Sequence, residues 1–331
     1  MLVTAPPAAP PTTREGLSLF RVIEVWTIDE SGSLVPSSAI YRDAPAMEAS
    51  SVAMTIDVGD GLPGQVAARE QPVVFPQLQA EDFLRSEAAA ADGLSAGVGF
   101  PVFRDGKLTA VVLVLFTNAD DATGAIESWL PDKERNELRL GTAHYAGLKR
   151  FEMISRYVQF PYGSGLPGTI KQTATPTLLT GLARSKEFIR AAGAEADGLS
   201  IALAWPVISY GDDLRAVVVL LSSSATPLAR VFQVWGEERG EGDTPTAQLV
   251  PRRNASEDSR QLAEATAAAP VAIGRGLLGR VWQTGLPLAT SDFSEESADV
   301  QKLAEQEQIA GAIAIPVFRG PELKGIVALW G

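Results

Sequence analysis

Apolar and polar positions along this chain change rhythm in a fixed order. Phe20–Asp29 is rich in aromatic and β-branched residues and predicts a strand. Glu30-Ser31-Gly32 then turns it into a second strand, Leu34–Tyr41. After a glycine-rich turn, Gln65–Arg69 predicts a short helix that stops before Pro72, and Val73–Phe75 a short strand. Ala80–Ala91 is helical by propensity, with Phe83 and Leu84 expected on its buried side. Gly99–Phe103 and Leu108–Phe116 predict a hairpin around Asp105-Gly106. Late in the chain, Asp292 with Glu295 reads as a capping pair ahead of Val300, Leu303 and Ala304 at helical spacing. An antiparallel-dominated sheet with helices between its strands is an α+β unit.

The same order of landmarks returns twice. Gly59-Asp60-Gly61-Leu62-Pro63-Gly64 reappears as Gly163-Ser164-Gly165-Leu166-Pro167-Gly168 and as Gly274-Arg275-Gly276-Leu277-Leu278-Gly279. Each turn is followed at one spacing by a proline, Pro72, Pro176 or Pro287, and later by Pro101-Val102, Pro206-Val207 or Pro316-Val317. Upstream stand Ile23-Glu24-Val25-Trp26, Ile126-Glu127-Ser128-Trp129 and Phe232-Gln233-Val234-Trp235. Three markers in one order establish an internal repeat. The expected division is a Pro/Ala-rich tail over 1–15 and three units over 16–118, 119–224 and 225–331.

The glycine turn with its leucine, the short helix, the spaced proline and the Pro-Val strand resemble the GAF family. The resemblance implies three tandem GAF-like domains with the α+β fold, in a non-catalytic sensor or regulatory protein. Such domains bind small molecules between sheet and helices, or act as dimerisation and signal-relay modules. On that basis Phe100, Trp205 and Ile315, which precede the Pro-Val pairs, are candidate ligand-binding residues. Phe83 and Phe188 join that set, although as anchors of the second helix they have a packing role too. Trp26, Trp129 and Trp235 read as core packing. Gly61, Gly64, Gly165, Gly168, Gly276 and Gly279 read as structural turns, supplying positive φ and close approach.

The chain departs from the family in one respect. The long terminal helices that usually cover one sheet face have no room between successive units. Yet Val111 through Phe116 is apolar throughout, and Val22 and Trp26 alternate with Ile23 and Val25. A strand open to water on one face should alternate. The bare faces are therefore expected to be buried against neighbouring copies or a partner chain, which allows a homo-oligomer.

Composition removes several chemistries. The chain has no cysteine, which excludes thiolate metal sites, covalent bilin attachment and the cysteine chemistry of GAF-like sulfoxide reductases. A single histidine, His144, cannot build a metal site or serve three haem pockets, and it reads as a surface or turn residue. No metal is expected, and no cofactor is identified. A net charge of −12 argues against a nucleic-acid partner. The longest apolar runs, Ala110–Phe116 and Ala216–Leu221, are strand-length, so no membrane span is expected. With no basic start or apolar core at the N-terminus, a cytoplasmic protein is expected. Each turn also spells G-x-G-x-x-G, but the short helix and early proline do not fit a dinucleotide fold. Glu237, Glu238, Glu241 and Asp243 read as a solvated loop, and Ser256 to Ala269 as an exposed helix. No catalytic constellation repeats, so no enzyme is expected. Partners are a small molecule, a protein or both; the alternative to a sensor is a scaffold whose pockets are filled by its own side chains.

Overall fold

The computed structural model describes residues 20–80, 82–117, 123–239 and 247–331. The 1–15 tail and the acidic Glu241 and Asp243 lie outside them.

The first module runs β1 (Phe20–Ile28), β2 (Leu34–Tyr41), α1 (Pro45–Ser51), α2 (Gly61–Arg69), β3 (Val73–Phe75), α3 (Ser86–Ala91), β4 (Leu94–Arg104) and β5 (Lys107–Thr117). The second runs β6 (Gly124–Asp132), β7 (Glu137–Ala146), α4 (Lys149–Ser155), β8 (Gln159–Pro161), α5 (Gly165–Thr173), β9 (Thr177–Thr180), α6 (Ala191–Ala196), β10 (Leu199–Ile208) and β11 (Leu214–Ser223). The third runs β12 (Val231–Arg239), β13 (Ala247–Ser256), α7 (Arg260–Thr266), α8 (Gly276–Thr284), β14 (Leu288–Thr290), α9 (Ala298–Gln306), β15 (Ala312–Arg319) and β16 (Glu322–Trp330).

Each module carries one antiparallel sheet in the same order, β2-β1-β5-β4-β3 in the first and β13-β12-β16-β15-β14 in the third. The second adds β8 outside β7. The first strand of every module pairs with its last, so Trp26 faces Val111, Trp129 faces Val217 and Trp235 faces Ile326. The fold is thus α+β, three times over.

The glycine turns account for each helix start. Gly61, Gly165 and Gly276 adopt φ of +52°, +63° and +57°. At Gly64, Gly168 and Gly279 an added Cβ would collide with the carbonyl oxygens of Asp57, Pro161 and Ala272. Helix and preceding loop therefore touch backbone to backbone, which only glycine permits.

One face of each sheet packs under that module's own helices, and Trp26, Trp129 and Trp235 are fully buried there. The opposite faces meet one another. Val98, Phe100 and Val112 of the first sheet, Leu203, Trp205 and Val218 of the second, and Ile313, Ile315 and Val327 of the third belong to one buried cluster. The faces that lack covering helices are thus closed by the other two sheets of the same chain, and this is why their strands are apolar on both sides. Around the rim, β3 lies beside β7, β9 beside β13, and β14 beside β2, so the three modules close a ring.

Several local expectations are corrected. In the expected helix Ala80–Ala91, Ser86–Ala91 is helical and residues 82–85 are not, and Leu84 is 50% exposed while Phe83 is buried. Asp292 accepts from the Ser294 amide in a turn of its own, and Ser297 caps α9 by accepting from Val300. The 256–269 segment is helical only over Arg260–Thr266, and it buries Leu262 and Ala263. Glu237 and Glu238 belong to β12. His144 is no turn residue: it lies in β7, half-buried, its ring stacked on Phe116 of the first module at 4.7 Å.

Candidate functional site

The glutamate two residues before the repeated tryptophan shares its face of the strand, because side chains alternate along β structure. That face looks at the helices, so Glu24 and Glu127 are carried into the space between sheet and helices and are 1% and 0% exposed. An arginine meets each. Arg85, just before α3, reaches Glu24 through Nη1–Oε1 at 2.5 Å and Nη2–Oε2 at 2.8 Å. Trp26 Nε1 and the Tyr41 and Ser51 hydroxyls donate to the same carboxylate at 2.9, 2.9 and 2.8 Å. The guanidinium lies over the rings of Trp26 and Phe83, each 5.2 Å away.

The second module repeats the arginine, tryptophan and tyrosine contacts, while Ser155 accepts from Arg190 and makes no bond to the carboxylate. Arg190 grips Glu127 with both terminal nitrogens, while Trp129 and Tyr145 donate at 2.9 and 2.8 Å. Its guanidinium packs among Phe151, Trp129 and Phe188 at 4.6, 5.1 and 5.3 Å. Further hydrogen bonds help repay the desolvation of a buried pair, and these carboxylates are bonded on both oxygens, although Arg190 Nε has no partner. Burial by itself would raise the Glu24 carboxyl; the Arg85 charge and the converging hydrogen bonds outweigh it and hold the group below its ordinary value. Burial, then the Glu24 charge, pushes the Tyr41 hydroxyl up.

The third module solves the same place without charge. Gln233 stands for the glutamate; its Oε1 accepts from Trp235 and Trp330 at 3.2 and 3.3 Å. Its Nε2 donates to Thr266 at 2.7 Å. Val300 stands as far before Pro316 as Arg85 does before Pro101. Trp330 occupies the β16 position held by Leu115 and Leu221 in the other modules, and its ring stacks on Phe293.

In each module, therefore, the space between sheet and helices holds the chain's own side chains. The candidate residues fall into two groups. Phe83 and Phe188 flank the arginines in that space, whereas Phe100, Trp205 and Ile315 lie on the opposite sheet faces and meet at the centre of the ring. Phe100 and Trp205 touch edge-on, their centroids 5.4 Å apart. Sequence reasoning missed the ion pairs, although Phe83-Leu84-Arg85 and Phe188-Ile189-Arg190 recur with glutamate two residues before tryptophan. Among the described residues no group of three or more His, Asp or Glu could hold a metal ion, and no helix is long and apolar enough to cross a membrane.

Residues 13–130 match a family model, that of the GAF domain. This part of the chain is a GAF domain. The two modules that follow repeat its strand order and its glycine turn, which makes them GAF-like. GAF domains are sensor and regulatory modules. Similar solved structures include the free methionine-R-sulfoxide reductase of Neisseria meningitidis, 21% identical over 29% of this chain and 52% of that one, with a TM-score of 0.24. The GAF domain of an Acinetobacter phosphoenolpyruvate-protein phosphotransferase is 20% identical over 29% of this chain and 52% of that one, at 0.22. The GAF domain of A. aeolicus nlh2 is 18% identical over 31% and 58%, at 0.24. The chain thus spans little more than half the length of these structures. No curated protein matches it significantly.

Proposed function

We propose that this chain is a non-catalytic regulatory protein of the cytoplasm, a scaffold that works by binding a protein partner on its surface. The observation that carries this reading is the occupied interior. In the first two modules a small molecule would have to displace Glu24–Arg85 or Glu127–Arg190, each 3% exposed or less. Removing one partner of such a pair, or separating the two, costs about 3–5 kcal/mol, because a bare charge is left in a dry site. The shared centre supports the same reading, since a body welded through three sheets presents fixed surfaces.

Native mass spectrometry of the purified protein tests it, together with a thermal-shift screen against nucleotides, tetrapyrroles and metabolites. The expected outcome is a spectrum without retained small molecules, no shift in the screen, and protein partners recovered by affinity capture. A stoichiometric small molecule retained in the spectrum would overturn the reading in favour of a ligand sensor.

A further inference from the structure

The three joints of the ring are not alike. At the joint of modules one and two, Thr142 donates across to the Pro72 carbonyl at 3.3 Å. Arg215 of module two also caps the end of α2, bonding the Arg69 and Glu70 carbonyls at 3.1 and 3.3 Å. At the joint of modules three and one, Ser38 accepts from the Ala289 amide at 3.1 Å, and Arg104 caps α8 at the Thr284 carbonyl at 2.9 Å. Both joints thus close with a small hydroxyl and an arginine on a helix end.

The joint of modules two and three differs at the hydroxyl position, and its arginine, Arg319 at the position of Arg104, bonds the Asp212 carboxylate of module two at 3.1 Å in place of a helix end. Ser38 faces Val25, just before Trp26; the residue facing Val234, just before Trp235, is Arg253. The position of Arg215 is taken by Lys324, which bonds Glu322 at 3.0 Å, and the Thr173 carbonyl at the end of α5 accepts instead from the Thr175 hydroxyl of its own module at 3.1 Å. Two adjoining grooves open there, and both are lined by Thr177 and Arg253. The larger runs along the backbone of Thr177–Gly181 and carries Arg184. Strand β9 is an edge strand, bonded only to β10.

We propose that this joint is a binding site for an extended acidic peptide of a partner protein, a step that rests on the surface-binding reading above. Arg184 and Arg253 have no carboxylate partner among the described residues, in a chain whose net charge is −12. Glu187 in the larger groove and Glu237 and Glu322 in the smaller are the opposing charges, set against Arg184, Arg252, Arg253 and Lys324. The edge of β9, which β13 approaches without bonding it, offers a peptide main-chain hydrogen bonds, and planar guanidinium groups grip carboxylates with two parallel N–H donors. A serine or threonine at the Arg253 position would instead have closed the joint, as at the other two. The exchange of a bridging hydroxyl for an unpaired cation is what marks a site.

The test measures binding of fluorescent eight-residue peptides to the full-length protein by anisotropy. A Glu/Asp-rich peptide is expected to bind with an affinity that falls as salt rises, and its Gln/Asn counterpart at least tenfold more weakly. R253S and R184Q should each weaken binding about tenfold, a loss of about 1.4 kcal/mol. R260Q, at an exposed arginine elsewhere, should leave it unchanged. Both groove arginines are exposed, so the variants are expected to fold, and circular dichroism checks this. Absence of acidic-peptide binding, indifference to R253S and R184Q, equal binding of a single-stranded oligonucleotide, or displacement by low millimolar phosphate would each overturn the assignment. If no acidic peptide binds but a protein partner is captured, the groove assignment alone falls; a small molecule retained in the interior removes the reading beneath it.

Discussion

Glu24 and Arg85 stand 61 positions apart in sequence and meet in a two-pronged ion pair whose side chains are 1% and 3% exposed. The pair ties β1 to the segment leading into α3, and Ser51 brings the end of α1 to the same carboxylate. Module two repeats it, and module three replaces it wholesale with glutamine, valine and a second tryptophan. The replacement is coordinated because neither charge is tolerable alone.

Arg85→Val is therefore expected to destabilise the protein by about 3–5 kcal/mol, since it strands the buried Glu24 carboxylate. The triple variant Glu24→Gln, Arg85→Val, Leu115→Trp imports the solution of module three and should recover most of that loss. Urea denaturation of both variants checks this. A triple variant no more stable than Arg85→Val would show that the two cores are not interchangeable solutions of one site.

The glycine turns make a sharper contrast. Gly279→Ala places a methyl group against the Ala272 carbonyl, a backbone atom that cannot step aside. A loss of more than about 2 kcal/mol is expected, by the strain of a displaced backbone. Gly320, at φ +56° with nothing within 4 Å of an added Cβ, gives the control. Gly320→Ala should cost only about 1 kcal/mol of backbone strain. Equal losses at the two positions, measured by denaturant midpoint, would contradict the close-approach role.

His144 supplies a pH dependence with a definite sign. Burial against Phe116 lowers its pKa below the ordinary 6.5, with Glu152 pulling weakly the other way. The folded state then refuses a proton that the unfolded state accepts. Stability from this group is complete above 6.5 and falls as pH drops from 6.5 toward the folded-state pKa, by at most about 1.4 kcal/mol per pH unit. His144→Phe keeps the ring stack and removes the proton, so its stability relative to the parent should rise below pH 6.5. A difference between the two proteins that stays flat from pH 7.5 to 5 would show that the imidazole is not desolvated.

The repeat and its order of elements were legible because they rest on residues that act locally: glycines at fixed turns, prolines ending short helices, a tryptophan at one strand position. The two-sided apolar character of Val111–Phe116 also announced a covered second face. The cover itself was not legible, since contacts such as Phe100 with Trp205 join residues a hundred positions apart. The ion pairs escaped for another reason. Charged residues are seldom buried, so nothing in the sequence singles out Glu24 and Arg85 as a buried pair, and only the fold brings them together. Likewise helical periodicity points Leu84 inward, but residues 82–85 are not helical and that periodicity does not apply. His144 looked like a turn residue because its neighbours are small and polar, whereas its surroundings come from a different module.

The shared centre makes the last prediction. Trp205 is 3% exposed and packs with Phe100 and Ile315, so its environment is built by all three sheets. Trp205→Ala should cost about 3–5 kcal/mol, the usual loss for a buried large aromatic. The loss belongs to the whole body, because no module can unfold without uncovering the faces of the other two. Unfolding followed by tryptophan fluorescence and by circular dichroism should therefore give coincident single transitions in the parent and in the variant, with only the midpoint moved. A fragment spanning 16–118 would expose Phe100, Val112 and Val114 together, a patch large enough to drive association, and sedimentation should find it oligomeric or aggregated. A monomeric, stably folded fragment, or separate transitions for the modules, would mean that the three sheets are neighbours without being a common core.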